Sequence, residues 1–147
     1  MPDKETLERA EQDKADGKSP STQAGEFVRE EMEHIREGKH GARSTKQAIA
    51  IGLSKARRAG VDLPAPAEGS TSTRTREQAT RDLQKGHSGA TKTSSKRARA
   101  VRSALKREGH QAASKTALGR QARSAAARRS KAARSRSAKR AAATRKR

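Results

Sequence analysis

Leucine, isoleucine, valine and phenylalanine together supply only 13 of the 147 residues, and this scarcity restricts the folds open to the chain more than any other feature. At about 2 kcal/mol per buried large side chain, so few cannot offset the roughly 1–2 kcal/mol of backbone entropy lost by each ordered residue. Their share lies far below the roughly 20% under which a highly charged chain is expected to be disordered. Alanine, with 28 residues, makes up most of the remaining apolar count. The expectation is an all-α, largely disordered protein: a short helical hairpin followed by an Ala/Arg/Lys-rich tail with marginal helices.

The hairpin is the best-specified part. In residues 44–60, Ser44 followed by Gln47 forms a capping-box pattern, and Gly60 stands where a left-handed residue closes a helix. Ile49, Gly52, Leu53 and Ala56 fall on one face, with Lys46, Arg57 and Arg58 opposite. Lys46, Lys55, Arg57 and Arg58 read as a solvated face. In residues 25–38, Val28, Met32 and Ile35 recur at helical spacing, Phe27 widens the stripe, and Glu26, Glu30, Glu33 and Glu37 line the polar side. The loop 39–43 suits two antiparallel helices, with Gly52 allowing close approach of the backbones. Four regions follow: an acidic, disordered N-terminus (1–24), the hairpin (25–63), a flexible linker (64–91) and a basic tail (92–147). Val61 and Leu63 can fold back over the hairpin, and a short, marginal helix is placed at 75–85.

Charge is divided unevenly. Residues 1–43 hold 8 basic and 11 acidic side chains, whereas residues 90–147 hold 20 and 1, the single acid being Glu108. Such a segment condenses anions, and a polyanion offers the most counterion release. The candidate phosphate contacts are Lys96, Arg97, Arg99, Arg102, Lys106 and Arg107, then Arg120, Arg123, Arg128 and Arg129, and finally Lys131, Arg134, Arg136, Lys139, Arg140, Arg145, Lys146 and Arg147. Like charges at i, i+4 oppose helix in this tail, so it is expected to be coil-like until a polyanion neutralises it. Phe27 is the sole aromatic, which leaves no stacking platform for reading single strands. Cations spread among alanines do not form a base-reading recognition helix either.

Other chemistries find little support. Histidines 34, 40, 87 and 110 do not cluster along the chain and cysteine is absent, so no metal or other cofactor is expected. The acids of 26–37 lack a core to hold them as a catalytic pair, and no enzyme is expected. The stretch 86–93 only superficially resembles a phosphate-binding loop and reads as linker. No apolar run approaches a membrane span, and the acidic first residues argue against a secretory or transit leader, which points to a cytoplasmic protein.

Residues 46–54, continuing through Ala56, Arg57, Ala59 and Gly60, resemble the signature of a family of small basic bacterial proteins of unknown function. The stretch 32–39 is similar to that family's lead-in, with Ile35 in place of an aromatic residue. The resemblance covers roughly residues 28–64, and 102–118 are similar to downstream pieces of larger members. It implies no catalytic residues. The Ala/Lys/Arg/Ser tail also resembles, in composition, bacterial proteins with linker-histone-like C-termini.

The functional expectation is sequence-independent binding of duplex DNA through phosphate neutralisation, in the manner of a nucleoid-associated, histone-like protein. Two alternatives stay open: an RNA- or ribosome-associated basic protein, and an adaptor or antitoxin-like module. In the leading reading the hairpin acts as a dimerisation or docking module; in the last it binds a protein partner and the tail only localises it. The acidic N-terminus is a further candidate, as a competitor for the tail in cis.

Overall fold

The computed structural model describes residues 1–89 and 92–146. Among these, seven α-helices and one 3-10 turn follow in sequence: α1 (Lys4–Ala15), α2 (Pro20–Arg36), α3 (Thr45–Arg58), α4 (Thr73–Ser88), α5 (Ser95–Lys106), the turn Gln111–Ala113, α6 (Lys115–Ala127) and α7 (Lys131–Arg145). Residues 90 and 91, within the linker and phosphate-loop-like stretches, and Arg147, among the candidate phosphate contacts, lie outside the described residues.

The antiparallel pair α2/α3 forms the centre, and its contact is unusually intimate because Gly52 has no side chain. A β-carbon at this position would come within 2.7 Å of the Val28 backbone. Two small cores flank that crossing. At the turn end, Met32 and Ile35 meet Ala42, Ala48, Ala112 and Ala113, with Val28, Ile49 and Leu118 at the margin. At the other end, Phe27 lies among Ala10, Ala24, Ala56 and Val61, with Leu7, Leu53 and Leu63 around it. The chain after α3 therefore does fold back over the hairpin. Helix α1 closes against α2, where Arg9 Nε donates to Glu26 at 2.6 Å. Helix α4 closes against α3, where buried Asp82 accepts from Ser54 at 2.6 Å and Arg58 at 2.7 Å.

The expected disorder is overturned. Helices run through the N-terminal segment, the linker and the tail, and the tail carries three α-helices in the chain itself, Ser95–Lys106, Lys115–Ala127 and Lys131–Arg145, not coil. Three physical causes were undercounted. First, serine caps six of the seven helices: Ser19, Ser44, Ser72, Ser94, Ser114 and Ser130 each accept from the backbone N–H three residues on. Each such cap contributes about 1 kcal/mol. Second, among the described residues eight of the 12 buried hydrophobic ones are alanines, which lose no side-chain entropy and let helices approach closely. Third, Glu30, Glu31 and Asp82, 1–2% exposed, hold the helices together by fully partnered polar contacts in place of apolar bulk.

Local starts also shift for identifiable reasons. Helix α2 begins five residues before Gly25, because Ser19 caps it and Pro20 occupies its first turn, where the missing N–H costs nothing. Ser94 caps α5. Ser44 accepts from Gln47 N at 3.1 Å as the capping box requires, while the Gln47 side chain reaches past Ser44 to accept from Arg43 N at 2.7 Å.

Two outcomes check this description. Far-UV circular dichroism of the chain free of nucleic acid will show a predominantly helical spectrum that duplex DNA changes little, whereas a coil spectrum would contradict it. Gly52→Val will force α2 and α3 apart and lower stability by about 1–3 kcal/mol in urea unfolding; an unchanged midpoint would show that the helices do not meet there.

Candidate nucleic-acid interface

The basic segment is attached to the hairpin around the loop between α2 and α3 and the ends of those helices. Gly41 N donates to Leu105 O at 2.9 Å and Ala42 N donates to Gly109 O at 3.0 Å. A β-carbon on Gly41 would strike the carbonyl group of Glu108, so only glycine admits this approach. Arg36 Nε donates to Ala113 O at 3.0 Å, and the buried Thr45 hydroxyl donates to Ala112 O at 2.7 Å. Ala112 and Ala113 are themselves buried in the turn-end core. The stretch 105–118, grouped by composition with the tail, is thus part of the packed body. Helices α5 and α7, by contrast, bury no residue.

Every described candidate phosphate contact is exposed. This covers Lys96, Arg97, Arg99, Arg102, Lys106 and Arg107 on and after α5, Arg120 and Arg123 on α6, Arg128 and Arg129 after it, and Lys131, Arg134, Arg136, Lys139, Arg140, Arg145 and Lys146 on and after α7. Among the described residues, no cation from Lys92 onward has an acidic partner within 4.0 Å. Arg129 does spend one nitrogen on the Ala133 carbonyl (3.1 Å) and the Ser137 hydroxyl. On α5, Arg99, Arg102 and Lys106 share one side while Ala98, Val101 and Leu105 share another; Val101 remains 54% exposed. On α7 the cations are spread around the whole circumference, so only part of them can face one surface at a time.

The N-terminal charges are arranged in the opposite way. Acids there are occupied locally: Glu26 by Arg9, Asp13 by Lys18, Glu33 by Arg29 and Asp82 by Arg58. Two of the four cations of α3 that read as a solvated face turn inward. Lys55 Nζ bridges Glu30 (3.2 Å) and Glu31, and Arg57, 6% exposed, donates to the Leu63 and Pro64 carbonyls at 3.0 and 3.1 Å. Burial lowers the Arg57 pKa, partly offset by Asp82. Burial also opposes the charge on Glu30, yet hydrogen bonds from the Asp3 backbone, Thr6 and Lys55 outweigh it and hold its pKa below 4.5. Burial likewise opposes the Lys55 charge, and the contacts with Glu31 and Glu30 outweigh it and hold its pKa above 10.5. The hairpin packing residues Phe27, Met32, Ile35, Gly52 and Ala56 are buried within the one chain, and Val28, Ile49 and Leu53 are half-buried.

Two features escaped the sequence. A groove of about 530 Å³ opens between α3 and α4, floored by Ile49, Leu53 and Ala79 and rimmed by Lys46 and Arg74. Its one acid, Asp82, is already satisfied by Ser54, Arg58 and Gln78. The second is a polar cluster at the end of α2. His40 comes back from the loop to meet Glu31 and His34, and His34 also meets Asp3 from before α1. The spacing Glu31-x-x-His34 was visible on one helix face; the return of His40 depended on the tight turn after Ile35, which spacing alone does not show.

Because Glu30 is depressed, its contribution to stability is present above its unfolded pKa of about 4.5 and is lost as the pH falls through the lower folded value. Because Lys55 is raised, its contribution holds below about 10.5 and is lost only as the pH rises through the higher folded value. Urea midpoints will therefore be flat near neutrality and fall in acid below about pH 4.5. Lys55→Met leaves two buried carboxylates without their cation and will cost about 3–5 kcal/mol at pH 7; a loss under about 1 kcal/mol, the value of a surface pair, would show the triad to be solvated.

No helix among the described residues is long and apolar enough to cross a membrane. No curated protein and no solved structure matches the chain. The segment that carries α2, α3 and the fold-back to Pro66, residues 14–66, does match a family of unknown function (DUF6496), and the resemblance to an uncharacterised family read from residues 28–64 is shown over this longer stretch.

Proposed function

We propose that this chain is a cytoplasmic, nucleoid-associated protein that binds duplex DNA through its phosphates, largely without regard to base sequence. The observation that carries the reading is the contrast in charge satisfaction within one fold. Acids and cations of the first 89 residues extensively neutralise each other, while the 20 basic residues of 90–147 face a single acid and stand exposed wherever they are described. Exposed, unpaired cations in such number release counterions when they meet a polyanion, and that term dominates non-specific affinity.

In this reading α5, α6 and α7 are the contact surface and the α1–α4 body is the platform that carries them. Helical cations need no ordering when they bind, so less entropy is lost per phosphate contact than from a coil. The absence of aromatic residues beyond the buried Phe27 favours a duplex over an unpaired strand, because there is no ring on which a base can stack.

Fluorescence anisotropy with a labelled duplex tests the reading. If about 6–10 phosphates are engaged, affinity will fall by roughly 10³–10⁵ between 50 and 200 mM salt. Two duplexes of unrelated sequence will bind alike. Replacing Arg128, Arg129, Lys131 and Arg134 by Gln will reduce the steepness of the salt dependence, by about 0.9 for each phosphate contact removed. A shallow salt dependence would overturn the reading. Preferential displacement of the duplex by ribosomal RNA would assign the surface to RNA instead.

A further inference from the structure

We propose that Glu31, His34 and His40 form a binding site for a divalent transition-metal ion of the zinc class, at the point where α2 ends and the chain turns toward α3. The donor atoms of these three side chains all lie within 4.8 Å of one another, and the three residues are buried or half-buried. The two imidazole rings meet edge to face, their centroids 6.0 Å apart at 85°.

The hydrogen bonds around the two histidines supply the decisive argument. His40 Nδ1 lies 3.0 Å from Gly41 O, a carbonyl that can only accept, so Nδ1 carries the proton. Nε2 is then the ring nitrogen left to a ligand, and it faces a carboxylate oxygen, Glu31 Oε2, at 3.3 Å. A carboxylate oxygen and a ring nitrogen placed this way share a cation between them, a proton or a metal ion. In His34, Nε2 is engaged at 2.9 Å by the Asp3 carboxylate, which leaves Nδ1 as the nitrogen available to a ligand. A ring nitrogen held by a carbonyl or carboxylate while the other is left to a ligand is the arrangement that orients metal-bound imidazoles.

Charge points the same way. Glu30 and Glu31 are 2% and 1% exposed, and with Asp3 they bring three carboxylates together. Lys55 is the cation paired with the two buried acids, and on each it holds one oxygen, Oε1. The second oxygen of Glu30 accepts from Asp3 N at 2.9 Å, while the second oxygen of Glu31 is the one that faces His40. Lys39 also acts on Asp3 and Glu30, so the charge not matched by Lys55 lies at Glu31 Oε2, the oxygen that faces His40.

Two imidazole nitrogens and one carboxylate oxygen suit zinc and exclude magnesium and calcium, which take oxygen ligands. Zinc bonds of about 2.0–2.2 Å set tetrahedral donors roughly 3.3–3.6 Å apart, so donors now within 4.8 Å need close by about 1.5 Å at most. An ion there would also fix the loop whose next two residues, Gly41 and Ala42, hold the Leu105 and Gly109 carbonyls.

The test uses the full chain, freed of metal by a chelator and titrated with zinc sulfate against a chromophoric zinc indicator. One zinc per chain and a rise in melting temperature are expected, and cobalt(II) will give the visible absorption of nitrogen ligation. Glu31→Gln, which keeps the shape of the side chain, will weaken zinc binding by about tenfold or more, and the double variant H34A/H40A by about a hundredfold. His87→Ala, at a histidine bound to Asp62 elsewhere, will leave it unchanged. Circular dichroism melts without zinc establish that each variant is folded. Failure of the native chain to take up stoichiometric zinc would overturn the proposal, as would undiminished uptake by folded H34A/H40A. So would histidine NMR showing His40 protonated on both nitrogens at pH 7 with equimolar zinc present, because the cation between His40 and Glu31 would then be a proton.

Discussion

The ammonium group of Lys55 between the carboxylates of Glu30 and Glu31 is the contact on which the rest of the body depends. It ties α3 to α2, and Glu30 passes the connection on to α1 by accepting the Asp3 N–H. Three helices thus converge on charges that are almost wholly withdrawn from water. A chain with so few large apolar side chains needs such a device, since the helices have little else on their facing surfaces to select one arrangement over another. The arrangement is demanding: buried charges are tolerated only when each oxygen and each N–H has its partner, and here every buried side-chain polar atom among the described residues has one.

The hairpin was the part legible in the sequence because its signals are local. Ser44 and Gln47 sit three residues apart, the apolar stripe has helical period, and Gly52 marks where a backbone must come close. The remainder was illegible for two separate reasons. A serine before a run of alanine and arginine is a strong helix start, but serine is so common in residues 94–137 that its role cannot be told from composition. And the contacts that order α1 and α4, Asp3 with His34, Arg9 with Glu26 and Asp82 with Ser54 and Arg58, join residues 17–31 positions apart. Arg57 and Lys55 show the same limit from another side: helical periodicity puts them on a polar face, and a polar face can pack inward when the neighbouring elements carry acceptors.

The candidate interface was legible as a charge imbalance and not as a shape. Counting basic residues located it; which of them belong to the packed body could not be counted. Ala112 and Ala113 are small, surrounded by polar residues and without periodic pattern, yet they are buried deeply enough to anchor the whole segment through Thr45 and Arg36. The cluster at the end of α2 was hidden by the opposite effect. Its histidines are six positions apart in sequence and no cysteine accompanies them, so only the tight reversal of the backbone after α2 brings them to a common point.

A core made chiefly of alanine has a thermal consequence. The heat-capacity change of unfolding follows the apolar surface released to water and offsets it against polar surface, giving about 12–15 cal/mol/K per residue in ordinary domains. Eight alanines and four larger residues release little hydrocarbon when this body opens, while its buried carboxylates, ammonium and guanidinium release strongly polar surface. The free energy of unfolding consequently curves gently with temperature, and resistance to cold and tolerance of moderate heat arise together from the same small side chains.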